Sequence, residues 1–363
     1  MEQTIRVELG ARSYDVRVGA GVLDSLGEAA CELGSVRQAV VISDSNVASS
    51  YGRRALESLA SSGIDATMFE YPAGEANKTL ASFSDLIDAI FTISPAVDRN
   101  LLIVACGGGV AGDVAGYVAA STLRGLRWMQ CPTSLLADVD ASVGGKTGIN
   151  HATGKNLIGA FHQPSGVLID VETLKTLPAE ELSSGLGECV KHAVIRDASL
   201  LDFITKNTTA ILACENDVMC DLIARNVAIK AAVVAGDERE AGERAHLNFG
   251  HTVGHAIETI IGYGTISHGA AVSLGIVAAN EMAVSRGLIA PADAARIREA
   301  LDALELPTTY SPLDAGQVWD VMQRDKKARA GRVRMVLPTE IGKVDIFDDT
   351  NAREVARAIA VLG

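Results

Sequence analysis

Hydrophobic and polar positions recur with two different periods along this chain, and the change between them falls near residue 178. Residues 4–9 and 14–18 alternate apolar and polar side chains on either side of Gly10, which predicts a β-hairpin. Strands that alternate with helices predict a parallel α/β sheet. The apolar strand-like runs are 39–43, 66–71, 101–105 and 167–169, and the helical stretches between them are 46–61 and 80–93.

Beyond residue 178 the apolar positions follow the helical period, and only 332–337 has the pattern of a strand. We therefore predict an α/β domain over residues 1–178 and a mostly α-helical domain over residues 179–363. The predicted helices of the second domain are 181–196, 217–235, 251–261, 270–286 and 292–304.

Composition narrows the classes of function. With 363 residues, 48% of them hydrophobic, the chain can build two sizeable cores. A net charge of −13 argues against a nucleic-acid or anionic-membrane surface, so an anionic substrate would need a local basic pocket. No apolar run is long enough for a membrane span, and the first residues lack the pattern of a signal peptide. Six scattered cysteines without a C-x-x-C pair predict reduced thiols in a cytoplasmic protein.

A glycine-rich turn follows the run at 101–105. Gly107, Gly109 and Gly112 fit the G-x-G-x-x-G spacing that lets backbone approach a pyrophosphate at a helix N-terminus. The match lies outside the first βαβ segment, and the expected acidic residue about 20 positions further on is missing. Asp44, at the end of the run at 39–43, is a better candidate for holding a ribose. A turn that needs glycine only for packing remains the alternative.

Histidines concentrate in the second half of the chain. His251 and His255 are four residues apart on a predicted helix and so share one face, and His268 follows closely. A catalytic metal site commonly has three protein ligands, and Glu188 is the best remote candidate for the third. His255 is either a ligand or a general acid or base, and its spacing does not decide between them. Structural histidines are the alternative for each residue taken singly.

Basic and amide side chains supply a candidate anion pocket. Lys146, Lys155 and Asn156 lie in a glycine-rich, non-helical stretch that suits phosphate binding. The stretch is not a P-loop, because Asp140 stands where the first glycine would be. Arg244 and Asn248 are four residues apart and could hold a carboxylate together. Solvated surface charges are the alternative interpretation for any one of them.

Taken together, these segments resemble the 3-dehydroquinate synthase family nearly from end to end. The resemblance implies a Rossmann-like NAD domain followed by a helical metal-binding domain. It implies conversion of 3-deoxy-D-arabino-heptulosonate 7-phosphate into 3-dehydroquinate and phosphate, a step of the shikimate pathway, with NAD and a divalent metal, zinc or cobalt. The segments that carry the resemblance are 72–78, 107–113, 132–136, 139–147, 155–161, 188–191, 244–258, 268–269 and 325–327.

The same resemblance implies which residues bind the cofactors. Glu188, His251 and His268 would bind the metal. The NAD site would comprise Asp44, Glu75, Lys78, Gly108, Gly109, Val110, Asp113, Thr133, Ser134, Lys146, Lys155, Thr173 and Thr176.

It also implies the residues that bind substrate and move protons. His255 would act near the leaving phosphate with Lys146, Asn156 and the pair Lys326–Lys327. The substrate carboxylate would be held by Lys230, Arg244 and Asn248, its hydroxyls by Asp140, and Glu240 would accept a proton. Arg124 would reach the site of a partner subunit, which implies a homodimer. One departure is Asp138, where the family often has Met or Gln.

Two other enzyme classes remain open at this stage. A related sugar phosphate cyclase would act on sedoheptulose 7-phosphate or glucose 6-phosphate, which lack a carboxylate. A metal-dependent polyol dehydrogenase would share the two-domain design but would accumulate NADH. A non-catalytic metal-binding scaffold is disfavoured, because phosphate, metal and nucleotide elements occur together.

Overall fold

The computed structural model describes residues 2–239, 242–262, 265–324 and 333–363, which form two compact units. The α/β unit comprises Met1–Leu177 and Met219–Ala235, and the helical unit comprises Pro178–Val218 and Gly236–Gly363. The segment Met219–Ala235 lies within the predicted helical domain but packs with the α/β unit. Polar contacts tie it there, because Gln3 donates to Asp221 at 2.6 Å and Lys230 pairs with Asp140 at 2.7 Å. Helical periodicity predicts that a helix has a buried face but not which unit buries it.

A seven-stranded sheet forms the centre of the α/β unit, in the order β1-β2-β9-β6-β5-β3-β4. The first two strands pair antiparallel and all the other pairs are parallel, which confirms the predicted hairpin and the predicted parallel sheet. A separate antiparallel hairpin, β7–β8, contacts helix α4 (Gly109–Ser121). The strands are β1 Gln3–Val7, β2 Tyr14–Gly19, β3 Gln38–Asp44, β4 Asp65–Tyr71, β5 Leu102–Gly107, β6 Arg127–Pro132, β7 Lys146–His151, β8 Gly154–Phe161 and β9 Gly166–Asp170.

The strand order reverses between β3 and β5. The chain runs outward from β3 to β4 and then returns to the other side of β3 at β5. Ligands of open α/β sheets bind at the carboxyl ends of the strands at such a reversal. Asp44 ends β3 and Gly107 ends β5, so both residues lie at this point. The other helices that belong largely to this unit are α1 Leu26–Glu32, α2 Arg53–Ser61, α3 Leu80–Phe91 and α8 Asn216–Gly236.

The helical unit is built mainly from helices, as the sequence predicts, and carries one antiparallel hairpin, β10 Val333–Glu340 with β11 Lys343–Thr350. None of the helices in the described ranges is both long and apolar enough to cross a membrane. The helices of the unit are α5 Ala179–Arg196, α6 Ala198–Lys206, α7 Thr208–Leu212, α9 His251–Ile261, α10 His268–Ser285, α11 Pro291–Ala303, α12 Ala315–Arg324 and α13 Ala352–Ala360.

Glycines allow α5, α9 and α10 to pack with their backbones in direct contact. A Cβ atom on Gly275 would lie 1.9 Å from the carbonyl oxygen of Gly250, and one on Gly254 would lie 2.8 Å from that of Ala271. On the other side of α10, a Cβ atom on Gly269 would lie 2.3 Å from the Ser184 carbonyl oxygen of α5. Real side chains cannot approach so closely, so the spacing of the three helices requires glycine at these positions.

Asp138 is a buried acid within the α/β unit. Its side chain is fully buried, and neither carboxylate oxygen has a hydrogen-bond partner among the described residues. Burial, with the nearby charge of Asp170, raises the pKa of Asp138 well above its usual value. The carboxyl group is therefore held in its neutral form, since an isolated buried charge is far more costly than a neutral acid.

The raised pKa of Asp138 predicts a pH-dependent cost to stability. Below about pH 4 the group is protonated in both the folded and the unfolded chain, so its contribution to stability is complete. As the pH rises towards the folded pKa, the unfolded chain ionises first and folding loses up to about 1.4 kcal/mol per pH unit. Asp138→Asn cannot ionise. The difference in free energy of unfolding between this variant and the wild type should therefore favour the variant more at pH 7 than at pH 5.

The free energy of unfolding in urea at the two pH values measures this effect. Asp88→Asn, which makes the same change at an exposed position of α3, is the control. Its free energy of unfolding should differ from that of the wild type by the same amount at pH 5 and at pH 7. An equal difference for Asp138→Asn would mean that the buried acid does not titrate abnormally.

Close packing of α9 on α10 predicts the cost of Gly275→Ala. The added methyl group must push the helices apart, and overpacking of this kind typically lowers the free energy of unfolding by about 1–3 kcal/mol or more. Gly236→Ala is the control, because a Cβ atom there would meet only the Glu243 carboxylate at an ordinary 3.7 Å. Chemical unfolding of both variants measures the difference, and equal stabilities would contradict the packing described for α9 and α10.

Candidate active site

Three helices of the helical unit each contribute one side chain to a cluster of metal-binding groups. Glu188 comes from the middle of α5, His251 from the first turn of α9 and His268 from the first turn of α10. One carboxylate oxygen of Glu188 lies 3.4 Å from Nε2 of His251 and 3.4 Å from Nε2 of His268. The three predicted ligands are thus brought together.

These distances suit a tetrahedral metal ion. Ligand atoms about 2.0–2.1 Å from a tetrahedral zinc ion lie about 3.3–3.4 Å from each other, which matches the two distances between nitrogen and oxygen. Nδ1 of His251 lies 3.1 Å from the carbonyl oxygen of Phe249, and Nδ1 of His268 lies 3.5 Å from Glu258. Such outer contacts direct Nε2 of each ring towards a metal. The donor set therefore fits a divalent cation, and three protein ligands leave a coordination position for substrate.

The charges around the cluster favour a bound cation. Burial alone would raise the pKa of Glu188, but Lys191 and His251 outweigh it and hold that pKa well below the usual range. Burial alone would lower the pKa of His268, but Glu188 and Glu258 raise it to about 10. Burial lowers the pKa of His251 despite its contact with Glu188. One ring next to two carboxylates thus carries positive charge, which is the charge that a metal ion would supply.

His255 lies beside the cluster of Glu188, His251 and His268. It is one turn after His251 on α9, and its ring centroid is 5.2 Å from that of His251 and 6.0 Å from that of His268. One of its ring nitrogens lies within a second group of possible ligand atoms, with Glu258 and His268, and this group shares His268 with the first. This position suits a role next to the metal, and the role of general acid or base stays a prediction.

The glycine-rich turn lies at the predicted end of β5. Gly107 has a φ of +154°, and a Cβ atom there would lie 2.7 Å from Cβ of Ala111 and 3.0 Å from the Asp44 carboxylate. Gly108 precedes the first turn of α4, where Gly109 and Val110 present backbone amides at the helix N-terminus. A helix N-terminus attracts the negative charge of a pyrophosphate.

Other predicted nucleotide contacts surround this turn. The Asp44 carboxylate accepts a hydrogen bond from the Asn46 amide at 2.9 Å, and burial raises its pKa. The backbone of Thr133 donates to the carbonyl of Gly107 at 3.1 Å, and the Ser134 hydroxyl lies 3.4 Å from where Gly108 would carry a Cβ atom. The turn and the carboxyl ends of β3, β5 and β6 thus form a polar cradle that only glycine leaves open.

Lys78 lies in the loop between β4 and α3 and connects this loop to α4 and to the β7–β8 hairpin. Its ammonium group, which is almost fully buried, donates to Asp113 of α4 and to the side-chain carbonyl of Asn156. Burial raises the pKa of Asp113 even though Lys78 opposes the shift. Asn156, predicted at the substrate phosphate, is therefore in direct contact with Lys78, which in turn pairs with Asp113, and both of these residues are predicted at NAD.

The remaining predicted cofactor residues lie in the turn after β9 or on the β7–β8 hairpin. Thr173 and Thr176 belong to a 3-10 turn, Val171–Thr176, that follows β9. The Tyr51 hydroxyl, which sequence reasoning missed, lies 2.6 Å from the Thr176 hydroxyl. Lys146 and Lys155 are exposed residues of the β7–β8 hairpin, and Arg124 is exposed at a left-handed turn after α4.

The residues predicted to bind the substrate carboxylate lie in different elements and have different hydrogen-bond partners. Lys230 donates to the backbone carbonyl of Asp140 and pairs with its carboxylate at 2.7 Å. Arg244 and Asn248 lie in a 3-10 turn, Glu243–Asn248, in which residues three apart share a face. The four-residue spacing therefore does not align them as it would on an α-helix. Arg244 is buried and donates to the backbone carbonyl of Glu238.

Three predicted site residues, Glu240, Lys326 and Lys327, lie outside the described residues. Sequence reasoning also missed two polar residues, one beside the proposed metal ligands and one beside the predicted NAD residues. Glu258 lies seven residues after His251 on α9, a spacing that places both on one face and could have identified it. Asn150, at the end of β7, gave no signal beyond its position within the glycine-rich stretch.

Comparison with known proteins identifies the family. Residues 68–184 match the model of the 3-dehydroquinate synthase N-terminal region, and residues 185–328 match that of the C-terminal region. The 3-dehydroquinate synthase of Prochlorococcus marinus (strain MIT 9215) is 43% identical over 96% of both chains. The 3-dehydroquinate synthase of Geobacter metallireducens is 46% identical over 99% of both chains.

Solved structures share the fold over the whole chain. A 2-epi-5-epi-valiolone synthase from Streptomyces hygroscopicus, with NAD⁺ and Zn²⁺ bound, is 27% identical and superimposes with a TM-score of 0.87, covering 98% of this chain and 97% of that one. A 2-deoxy-scyllo-inosose synthase superimposes with a TM-score of 0.89 over 99% of both chains, and at 24% identity it shows the fold alone. Since the family models span residues 68–328 and the curated relatives match nearly end to end, the chain belongs to the 3-dehydroquinate synthase family.

Proposed function

We propose that this protein converts 3-deoxy-D-arabino-heptulosonate 7-phosphate into 3-dehydroquinate and phosphate, with NAD and a divalent metal ion. The reaction belongs to the shikimate pathway, which leads to chorismate and the aromatic amino acids. The observation that carries the proposal is the Glu188, His251 and His268 donor set, within a chain 43% and 46% identical to two full-length 3-dehydroquinate synthases. The related valiolone synthase with bound NAD⁺ and Zn²⁺ supports the same two cofactors here.

The residues of the chain provide a place for each cofactor. When bound, NAD supplies a reversible hydride acceptor, and the metal ion supplies a Lewis acid that lowers the pKa of a substrate alcohol. Glu188, His251 and His268 hold the ion. The amides of Gly108, Gly109 and Val110 hold the pyrophosphate at the start of α4. The remaining proposed NAD contacts are Asp44, Glu75, Lys78, Asp113, Thr133, Ser134, Lys146, Lys155, Thr173 and Thr176.

Proton transfers and phosphate departure fall to side chains around the substrate. A ketone in the substrate would acidify the neighbouring C–H bond and so favour loss of phosphate by elimination. Lys146, Asn156 and His255 bind the departing phosphate, and the lysines at 326 and 327 extend this set. Lys230, Arg244 and Asn248 hold the carboxylate, Asp140 binds hydroxyl groups, and Glu240 accepts a proton. Ring opening and reclosure by an aldol step would complete the product, with no net redox change over the reaction.

Oligomeric state and location complete the proposal. We infer a homodimer in which Arg124, exposed at the turn after α4, reaches the site of the partner subunit. We also infer a cytoplasmic enzyme, since none of the six cysteines, all of which are described, forms a disulfide. In this proposal residues 1–178 bind NAD and residues 179–363 bind the metal ion and the substrate, with Lys230 contributed from α8.

The related cyclase is the second candidate, because the chain superimposes so closely on a valiolone synthase. The two functions differ in the carboxylate of the substrate, for which Lys230, Arg244 and Asn248 are proposed. A polyol dehydrogenase, by contrast, would accumulate NADH in proportion to product.

Phosphate release decides between these functions. Purified protein with NAD and zinc should release phosphate from 3-deoxy-D-arabino-heptulosonate 7-phosphate, with no net increase in NADH absorbance. Sedoheptulose 7-phosphate, which has no carboxylate, is the control and should be inert. Release from the control alone would assign the protein to the related cyclases, and stoichiometric NADH would assign it to the dehydrogenases.

A further inference from the structure

Asn150 makes four hydrogen bonds to Glu75, Lys78 and Asn156, the longest of them from its side-chain amide to the backbone carbonyl of Glu75 at 3.5 Å. It is the fifth residue of β7, and its side-chain amide donates to a carboxylate oxygen of Glu75 at 2.7 Å. Its side-chain carbonyl accepts from the backbone amide of Asn156 at 2.8 Å. Its own backbone amide donates to the carbonyl of Lys78 at 2.8 Å.

The amide side chain of Asn150 has both the donor and the acceptor that its two side-chain contacts need. The backbone N–H of Asn156 can only donate and the Glu75 carboxylate accepts, so the bridging group needs one acceptor and one donor. Asp supplies two acceptors and places a second negative charge against Glu75. The contact to an ionised carboxylate is also the stronger kind of hydrogen bond.

The Asn156 backbone explains why its amide needs a fixed partner. Asn156 has a φ of +56°, in the left-handed region that few residues other than Gly and Asn adopt. In that conformation its side-chain carbonyl accepts a hydrogen bond from Lys78, which also pairs with Asp113. The bond from Asn156 to Asn150 thus holds the turn that directs Asn156 towards Lys78.

We propose that Asn150 is a positioning residue that holds Glu75 for NAD and Asn156 for the substrate phosphate in one arrangement. This inference rests on the proposed function, since the roles of Glu75 and Asn156 come from it. Asn150 itself touches neither cofactor nor substrate in this scheme. The side-chain contacts of Asn150 join the loop that carries Glu75 and Lys78 to the β7–β8 hairpin. A displacement of the loop therefore displaces the hairpin, and the reverse also holds.

Asn150→Asp separates the two contacts. The aspartate still accepts from the Asn156 amide, which favours retention of the fold, but it repels Glu75. We expect the Kd for NAD to rise by about tenfold, since a hydrogen bond to a charged group is lost. Titration of NAD followed by isothermal calorimetry measures this directly. Asn100→Asp, which adds the same charge before the amino end of β5, is the control and should bind NAD like the wild type.

A charge-swapped double variant tests whether the effect passes through Glu75. In Asn150→Asp with Glu75→Gln, the new amide at position 75 can donate to the aspartate, so NAD affinity should recover relative to Asn150→Asp alone. Glu75→Gln by itself completes the cycle, because it corrects for any direct effect of residue 75 on NAD. Unchanged NAD affinity in Asn150→Asp, or strictly additive effects in the double variant, would overturn the proposal.

Steady-state kinetics tests the second half of the proposal. In Asn150→Ala, which removes both contacts, we expect a higher KM for the phosphate substrate as well as weaker NAD binding, and a normal KM at saturating NAD would contradict the coupling. A wild-type protein that binds NAD but releases no phosphate would refute the proposed reaction alone, because the NAD titrations would still report on Asn150.

Discussion

Backbone-to-backbone packing of α5, α9 and α10 is the constraint on which the metal site depends. Glycines at positions 254, 269 and 275 let carbonyl oxygens approach where any side chain would collide. Because α9 and α10 each begin at a proposed ligand, small changes in their spacing move His251 and His268 relative to Glu188. Ligand atoms must lie within a few tenths of an ångström of their ideal positions. The positions of the glycines therefore set the geometry of the chemistry.

Glycine has a related role in the α/β unit, where it clears space for a ligand. Gly107 and Gly108 keep the start of α4 open. The polar side chains close to this helix, such as Lys78 and Asp113, form hydrogen bonds with each other. Lys78 neutralises Asp113 and fixes Asn156, and Asn150 ties the same hairpin to Glu75. An arrangement of this kind is fixed before substrate arrives, so little reorganisation is needed during the reaction.

The parts of the molecule that the sequence predicts are those set by local pattern. The β1–β2 hairpin, the parallel sheet and the candidate ligand set of His251, His268 and Glu188 follow from periodicity and residue type. The family resemblance predicts that His255 acts near the leaving phosphate and not as a ligand. The sequence pattern does not predict strand β6, because Gln130 interrupts its apolar run, or the β7–β8 hairpin, because its glycines indicate a loop. The bonds of Asn150 and the placement of α8 depend on which distant segments meet, and that information is not in any local window.

Metal content of two matched variants tests the central claim most directly. His251 and His255 lie one turn apart on α9, with ring centroids 5.2 Å apart, yet only His251 lies within the group of Glu188. His255→Ala purified with zinc should retain one ion per chain, whereas His251→Ala should lose it. Loss of the ion from His255→Ala, or its full retention in His251→Ala, would contradict the assignment of Glu188, His251 and His268 as the metal ligands.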